Sequence, residues 1–191
     1  RGGKAHIQLS GGEPTVREDL SAIIALARRK GFSFVQLNTN GLRLAAAPDY
    51  AVQLKEAGLA SVFLQFDGLS AASHQALRGR DLRAVKEAAI RHAAAAGLGI
   101  VLVPTLVPGV NTTEVGAIID YAVRFAPAVR GVHFQPVSYF GRFPQAPADG
   151  DRLTLPEVIA LIAAQSGGAI RPEHFAPPAC EHALCSFHGT F

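Results

Sequence analysis

The sequence predicts an α/β fold built on a parallel sheet about five strands wide. Three observations carry that reading. Strand-like runs alternate with helical stretches about five times along the chain. The helices between strands are long enough for right-handed crossovers, so the strands are expected to run parallel. Four of the five strands also alternate polar and apolar residues. A parallel sheet covered on both faces would be apolar on both, so here one face meets helices and the other meets something polar.

The elements follow in order. Residues 6–10 read as a strand, with Ile7 and Leu9 opposed to His6, Gln8 and Ser10. Residues 16–30 read as a helix with Leu20, Ile23, Ile24 and Ala27 on one face and Gly31 as C-terminal cap. Residues 33–38 are the second strand, with Val35 and Leu37 against Gln36, Asn38 and Asn40, closed by the Asn40-Gly41 turn. A shorter helix covers 48–57 and ends at Gly58. The third strand, 61–66, sets Leu64 and Phe66 against Gln65 and Asp67. Helices follow at 71–77 and 82–96, stopped by Gly97. Residues 99–105 read as a buried strand. The next helix starts at Asn111 or Thr112 and reaches Phe125, with Val115, Ile118, Ile119, Ala122 and Val123 as its apolar stripe. The fifth strand, 131–137, opposes Val132 and Phe134 to His133 and Gln135. A last helix covers 155–165, with Pro156 in its first turn. From Gly167 the chain looks irregular, which divides it into a core over 1–166 and a tail over 167–191.

Composition narrows the function. The 191 residues are 49% apolar and 17% charged, enough to bury one sizeable core and too apolar for a disordered chain. The net charge is +3, but the 18 lysines and arginines are scattered, so no nucleic-acid footprint is expected. No apolar run reaches ~18 residues, and the longest candidate is broken by Pro104 and Pro108. We therefore expect no membrane span and, with no leader visible, a cytoplasmic protein. The chain has no methionine and starts at Arg1, which reads as an internal piece of a longer protein. Its two cysteines, Cys180 and Cys185, suit either a short-range disulfide or a metal.

Burying the strand amides without partners would cost about 1–3 kcal/mol each. A curved sheet whose concave side holds a polar ligand resolves that cost; a plainly open face is the simpler alternative. In barrel-like α/β proteins ligands sit at the C-terminal ends of the strands, where Ser10, Asn40, Asp67 and Thr105 fall. The loop after the first strand is Gly11-Gly12-Glu13-Pro14-Thr15. Paired glycines let backbone approach a ligand closely. Pro14 fixes the exit, and Glu13 offers a carboxylate that suits an ammonium and repels phosphate.

These residues resemble the radical S-adenosylmethionine superfamily. Gly11-Gly12-Glu13-Pro14 resembles its G-G-E-P segment, Asn38-Thr39-Asn40-Gly41 its T-N-G segment, and Gln65-Phe66-Asp67-Gly68 its S-L-D-G segment. His74 to Gly79 resembles its H-x-x-x-R-G stretch, and residues 103–111 its fifth-strand segment. The resemblance implies a partial (β/α)6 TIM-like barrel, truncated at the N-terminus. It also implies reductive cleavage of S-adenosylmethionine by a [4Fe–4S] cluster, giving a 5′-deoxyadenosyl radical that abstracts hydrogen from unactivated carbon. By position, Gly11, Gly12 and Glu13 would hold the methionine amino group. Asn38 and Gln65 would reach the methionine carboxylate or ribose, with Asn40 beside them and Asp67 a weaker ribose candidate. Gln135 and Pro136 would meet adenine, and Asn111 would pin the fifth-strand loop. An electron donor such as flavodoxin or ferredoxin is implied.

The chain departs from the family where the C-x3-C-x2-C cluster loop belongs, ahead of Gly11, since no cysteine lies there. The cluster ligands are expected outside this chain, and these residues alone are not expected to generate the radical. Residues 134–142 and 177–187 resemble the branch of tetraether lipid synthase and methanopterin-modifying enzymes. That implies a lipid-like or pterin-like small-molecule substrate, and an auxiliary iron–sulfur site using Cys180, Cys185 and His182. Arg142 suits either a substrate anion or a surface pair, and His133 shares a face with Gln135. A non-catalytic S-adenosylmethionine-binding or iron–sulfur scaffold is the second reading. A barrel aldolase or metal-dependent lyase, needing a Schiff-base lysine or a His/Asp metal cluster at strand ends, is the third, disfavoured because Lys4, Lys30, Lys55 and Lys86 lie away from strand C-termini.

Overall fold

The structure is a computed structural model that describes residues 5–140, 146–178 and 185–191. Strands β1 (Ala5–Leu9), β2 (Phe32–Thr39), β3 (Ser61–Gln65) and β4 (Gly99–Val103) pair in parallel, in chain order. Pro104 has no N–H to give the ladder, and regular pairing resumes only at β5 (Thr105–Leu106). Next to it run β6 (Val129–Val132) and β7 (Gln135–Pro136). The bonds His133 N to Leu102 O (2.7 Å), Gln135 N to Pro104 O (2.9 Å) and Val137 N to Leu106 O (2.9 Å) join these pieces into one ladder. The five-stranded sheet is open, with β1 and β6 at its edges. This is the expected α/β half-barrel, not closed.

Helices α1 (Leu20–Arg29), α2 (Leu42–Ala46), α3 (Pro48–Glu56), α4 (Ala71–Arg78), α5 (Arg83–Ala95), α6 (Val115–Arg124) and α7 (Leu155–Gln165) fill the connections. The apolar strand positions face them. Val35, Leu37, Val62, Leu64, Ile100 and Leu102 are buried in one core with Leu20, Ile24, Leu54, Ile90 and Ile118. Each such side chain contributes about 1.5–3 kcal/mol on burial. Helix α7 matches its predicted bounds because Thr154 and Glu157 form a reciprocal capping box before it.

Several elements differ from the sequence expectation: α1 starts later, α2 is unpredicted, a 3-10 turn over Thr112–Glu114 precedes α6, and the fifth strand expected over 131–137 is split into β6 and β7. Residues 14–16 form a 3-10 turn capped by Glu13, and the chain is extended at Arg17, so α1 starts only at Leu20. Helix α2 has five residues, too few to show a helical period, and is launched by Gly41 at φ 79°.

The other sheet face carries the predicted polar side chains. Gln8 pairs in register with Gln36, and Gln36 and Asn38 are half-buried, as is Gln65. That face is not uniformly polar. Phe34 lies tilted against His6 (ring centroids 5.2 Å) and Phe63 against His133 (5.1 Å), so aromatic pairs interrupt the amides. Among the described residues no helix is long and apolar enough to cross a membrane.

Candidate functional site

The C-terminal ends of β1, β2 and β3 meet the α4–α5 connection around a cleft of about 420 Å³. Ser10, Gly12, Glu13, Asn38, Asn40 and Gln65 line it, together with Arg78 from the end of α4 and Arg80 from the turn after it. Gly11 (φ 102°) and Gly12 (φ 52°) both occupy the left-handed region, and a Cβ added to either would meet nothing within 4 Å. The loop thus exposes bare backbone at the rim.

Glu13 fastens that loop to β2. Its Oε1 accepts from Thr15 N (3.1 Å), Thr15 Oγ1 (2.6 Å) and Thr39 Oγ1 (2.7 Å), and its Oε2 accepts from Asn40 N (2.7 Å). Partial burial pushes the carboxyl up, but these donors outweigh it and hold Glu13 below the usual carboxylate range. Glu13 is therefore an anion at neutral pH, and Oε2, with a single donor, retains accepting capacity toward the cleft. Pro14 is buried under the loop as the first residue of the 3-10 turn.

Asn40 is held from three sides. Its N–H goes to Glu13, its Oδ1 accepts from Leu42 N (2.9 Å), and its carbonyl accepts from Lys86 Nζ (2.7 Å). Lys86 is fully buried. It rides on α5, yet its ammonium ends at the C-terminus of β2, which corrects the expectation that it lies away from strand ends. It does not line the cleft, so it offers no exposed amine. Asn38 Nδ2 donates to Ser10 Oγ (3.2 Å), tying β2 to β1 at the cleft floor.

On the β3 side, Asp67 and Asn111 serve structure. Asp67 is fully buried and spends both carboxylate oxygens on Arg78, at 2.7 and 2.8 Å. With its amide oxygen turned toward Arg78, Gln65 accepts from Arg78 Nη2 (2.9 Å) and Nη1 (3.2 Å). Asn111 donates to Asp67 O (2.7 Å) and Thr105 O (2.8 Å), and accepts from Val107 N (2.8 Å). It ties the loop after β5 to the end of β3 and is fully buried. Glu114 closes the next turn by accepting from Ser70 N (3.1 Å) and Ser70 Oγ (2.7 Å). His74 is buried with Nε2 donating to Gly68 O (3.0 Å), a structural histidine.

Gln135 is exposed and Pro136 half-buried on β7, outside the residues lining this cleft. Cys185 is a free, exposed thiol. Cys180, His182 and Arg142 lie outside the described residues. Sequence reasoning passed over Arg78, Arg80 and Lys86 as site residues. Lys86 had a legible signal, since Leu82, Lys86, Ala89, Ile90 and Ala93 follow the i, i+4, i+7 spacing of a buried helix face.

Residues 1–122 match the family model of the Radical SAM superfamily. The chain belongs to the radical SAM superfamily. It is 47% identical over 172 residues to the 7,8-dihydro-6-hydroxymethylpterin dimethyltransferase of Methanocaldococcus jannaschii, covering 90% of this chain and 34% of that protein. It is 38% identical over 125 residues to the GTP 3',8-cyclase of Erythrobacter litoralis, covering 64% of this chain and 37% of that one. The chain thus spans about a third of the length of these curated relatives.

Among solved structures it resembles a domain of pyruvate-formate lyase-activating enzyme from Bacteroides vulgatus, at TM-score 0.56 and 15% identity over 84% of this chain and 94% of that one. It also resembles native anSMEcpe with bound AdoMet, at TM-score 0.56 and 15% identity over 86% of this chain and 46% of that one. At that identity the likeness is one of fold.

Proposed function

We propose that this chain is the S-adenosylmethionine-binding part of a radical enzyme acting on a pterin-like small molecule, with residues 1–166 as its core. The observation that carries the reading is the charge layout of the cleft. An anionic Glu13 stands on the β1–β2 side and the Arg80 guanidinium on the β3–α5 side, while the charge of Arg78 beside it is balanced by Asp67. A zwitterionic amino acid fits that layout, with its ammonium toward Glu13 and its carboxylate toward Arg80. The bare backbone at Gly11 and Gly12 leaves room for the ligand to lie against the loop.

Bound beside a [4Fe–4S] cluster, S-adenosylmethionine supplies a 5′-deoxyadenosyl radical for hydrogen abstraction. The chain has two cysteines, so we assign the cluster thiolates outside these 191 residues. Electrons would come from a small redox protein of the flavodoxin or ferredoxin class. The work of this chain is to bind and orient the cofactor. Glu13 and Asn40 set the amino end, Asn38 and Gln65 reach the carboxylate or ribose, and Gln135 with Pro136 would meet the adenine. The pterin-like substrate class rests on the likeness to the dimethyltransferase, which covers 90% of this chain.

Calorimetric titration of S-adenosylmethionine tests the binding. Arg80→Ala and Asn38→Ala are each expected to weaken it about tenfold, the worth of one charged or well-placed hydrogen bond. Wild-type affinity in both variants would refute the site. Anaerobic iron–sulfur reconstitution of the complete protein, with an assay for 5′-deoxyadenosine, separates catalyst from scaffold.

A further inference from the structure

The least expected group in this fold is Lys86. It is among the largest fully buried side chains, at 0% exposure, on a helix face otherwise made of Leu82, Ala89, Ile90 and Ala93. Burying an ammonium is costly unless something holds it. Its hydrogen-bond partner is the Asn40 carbonyl at 2.7 Å, and the N–H of the same residue donates to Glu13 Oε2, also at 2.7 Å. One residue of the β2 turn is thus clamped between a carboxylate above and an ammonium below. The packing is arranged to permit it. A Cβ on Gly41 would lie 2.5 Å from Leu64 Cδ1 and 3.3 Å from the Ala89 Cβ, so the bare glycine lets both β3 and α5 press against this turn.

We propose that Lys86 is a positioning residue for the cofactor cleft, setting Asn40 and, through it, the Glu13 carboxylate that receives the ligand's ammonium. This inference rests on the cofactor reading above and assigns a new part of the same site. Asp67, Arg78, Arg80 and Glu13 are the charged groups that act on Lys86. Burial is the largest influence and pulls its ammonium down to about 8, with Asp67 opposing that pull. Lys86 therefore loses its charge just above neutral pH, and the charge-assisted bond to Asn40 weakens as it does.

The test compares wild type with Lys86→Met, which keeps the length and removes the charge. The affinity for S-adenosylmethionine is expected to fall about tenfold at pH 6.5. The ratio between the two proteins is expected to shrink toward pH 9.5. Taking the ratio cancels the titration of the ligand's own amino group. Equal affinities, or a ratio constant across that range, overturn the proposal. If Lys86→Met does not fold, the Asn40 amide resonance of the wild type decides. An inflection near pH 8 supports the clamp, and a flat profile there refutes it. If wild type binds no S-adenosylmethionine, the cofactor reading falls separately. The clamp is then read from the Asn40 amide resonance of the wild type, which is expected to inflect near pH 8 and to stay flat if the clamp is wrong.

Discussion

Replacing Glu13 by Gln isolates the charge of the loop clamp while keeping its shape. The side-chain carbonyl of glutamine can still serve Thr15 and Thr39. Its NH2 group then faces the Asn40 N–H, donor against donor. A charge-assisted bond of about 1.5–3 kcal/mol is lost and a backbone donor is left unpaired. Glu13 is only half-buried, so water offsets part of this, and we expect a loss of about 2 kcal/mol. With a urea slope of about 2–3 kcal/mol/M, the unfolding midpoint should fall by roughly 0.7–1 M. The pH dependence supplies a second check. Glu13 sits below its ordinary value in the folded state, so its stabilisation is present above the unfolded value of 4.5 and is lost as pH falls through the folded one. Wild type and Glu13→Gln should therefore converge in acid. A midpoint unchanged within about 0.2 M at pH 7 would show that the carboxylate does not hold the loop.

Three further outcomes follow from the same geometry. Asp67→Asn breaks a pair whose carboxylate is buried and whose Arg78 is 29% exposed; it should cost about 2–3 kcal/mol in urea unfolding, and a change under about 0.5 kcal/mol would contradict the pairing. Asn111→Ala strips partners from Asp67 O, Thr105 O and Val107 N together, and about 3 kcal/mol is expected from the same assay. Because folding lowers the Lys86 value from 10.5 to about 8, the unfolded chain binds more protons between those values. Wild-type stability relative to Lys86→Met should thus rise by up to about 3 kcal/mol across that window; a flat difference would mean that Lys86 is not buried as an ammonium.

Much of this architecture was legible because period-two and period-3.6 patterns survive wherever one face is buried. Val35 and Leu37 against Gln36 and Asn38 gave β2 both its existence and its orientation. What escaped reading was set by groups distant in sequence. The start of α1 was displaced by Glu13 capping its own turn, a bond invisible to periodicity. Phe34 and Phe63 share the strand parity of Gln36 and Gln65 and lie near His6 and His133 on the same face, so the alternation of amides understated its apolar content. At the cleft, the glycine loop and the β2 turn were marked by unusual residues. Asp67 looked like a ligand for the same reason, being a carboxylate at a strand end. Only the approach of Arg78, eleven residues later, shows that its charge is already used. Lys86 was hidden in the opposite way, since a lysine on a helix is usually read as surface.

A crystal structure of the protein with S-adenosylmethionine would test the central claim most directly. The account predicts the methionine end in the cleft between β1 and β3, its ammonium on the Gly11–Glu13 loop and its carboxylate toward Arg80. Density for the ligand elsewhere on the molecule, with that cleft holding only water, would contradict it.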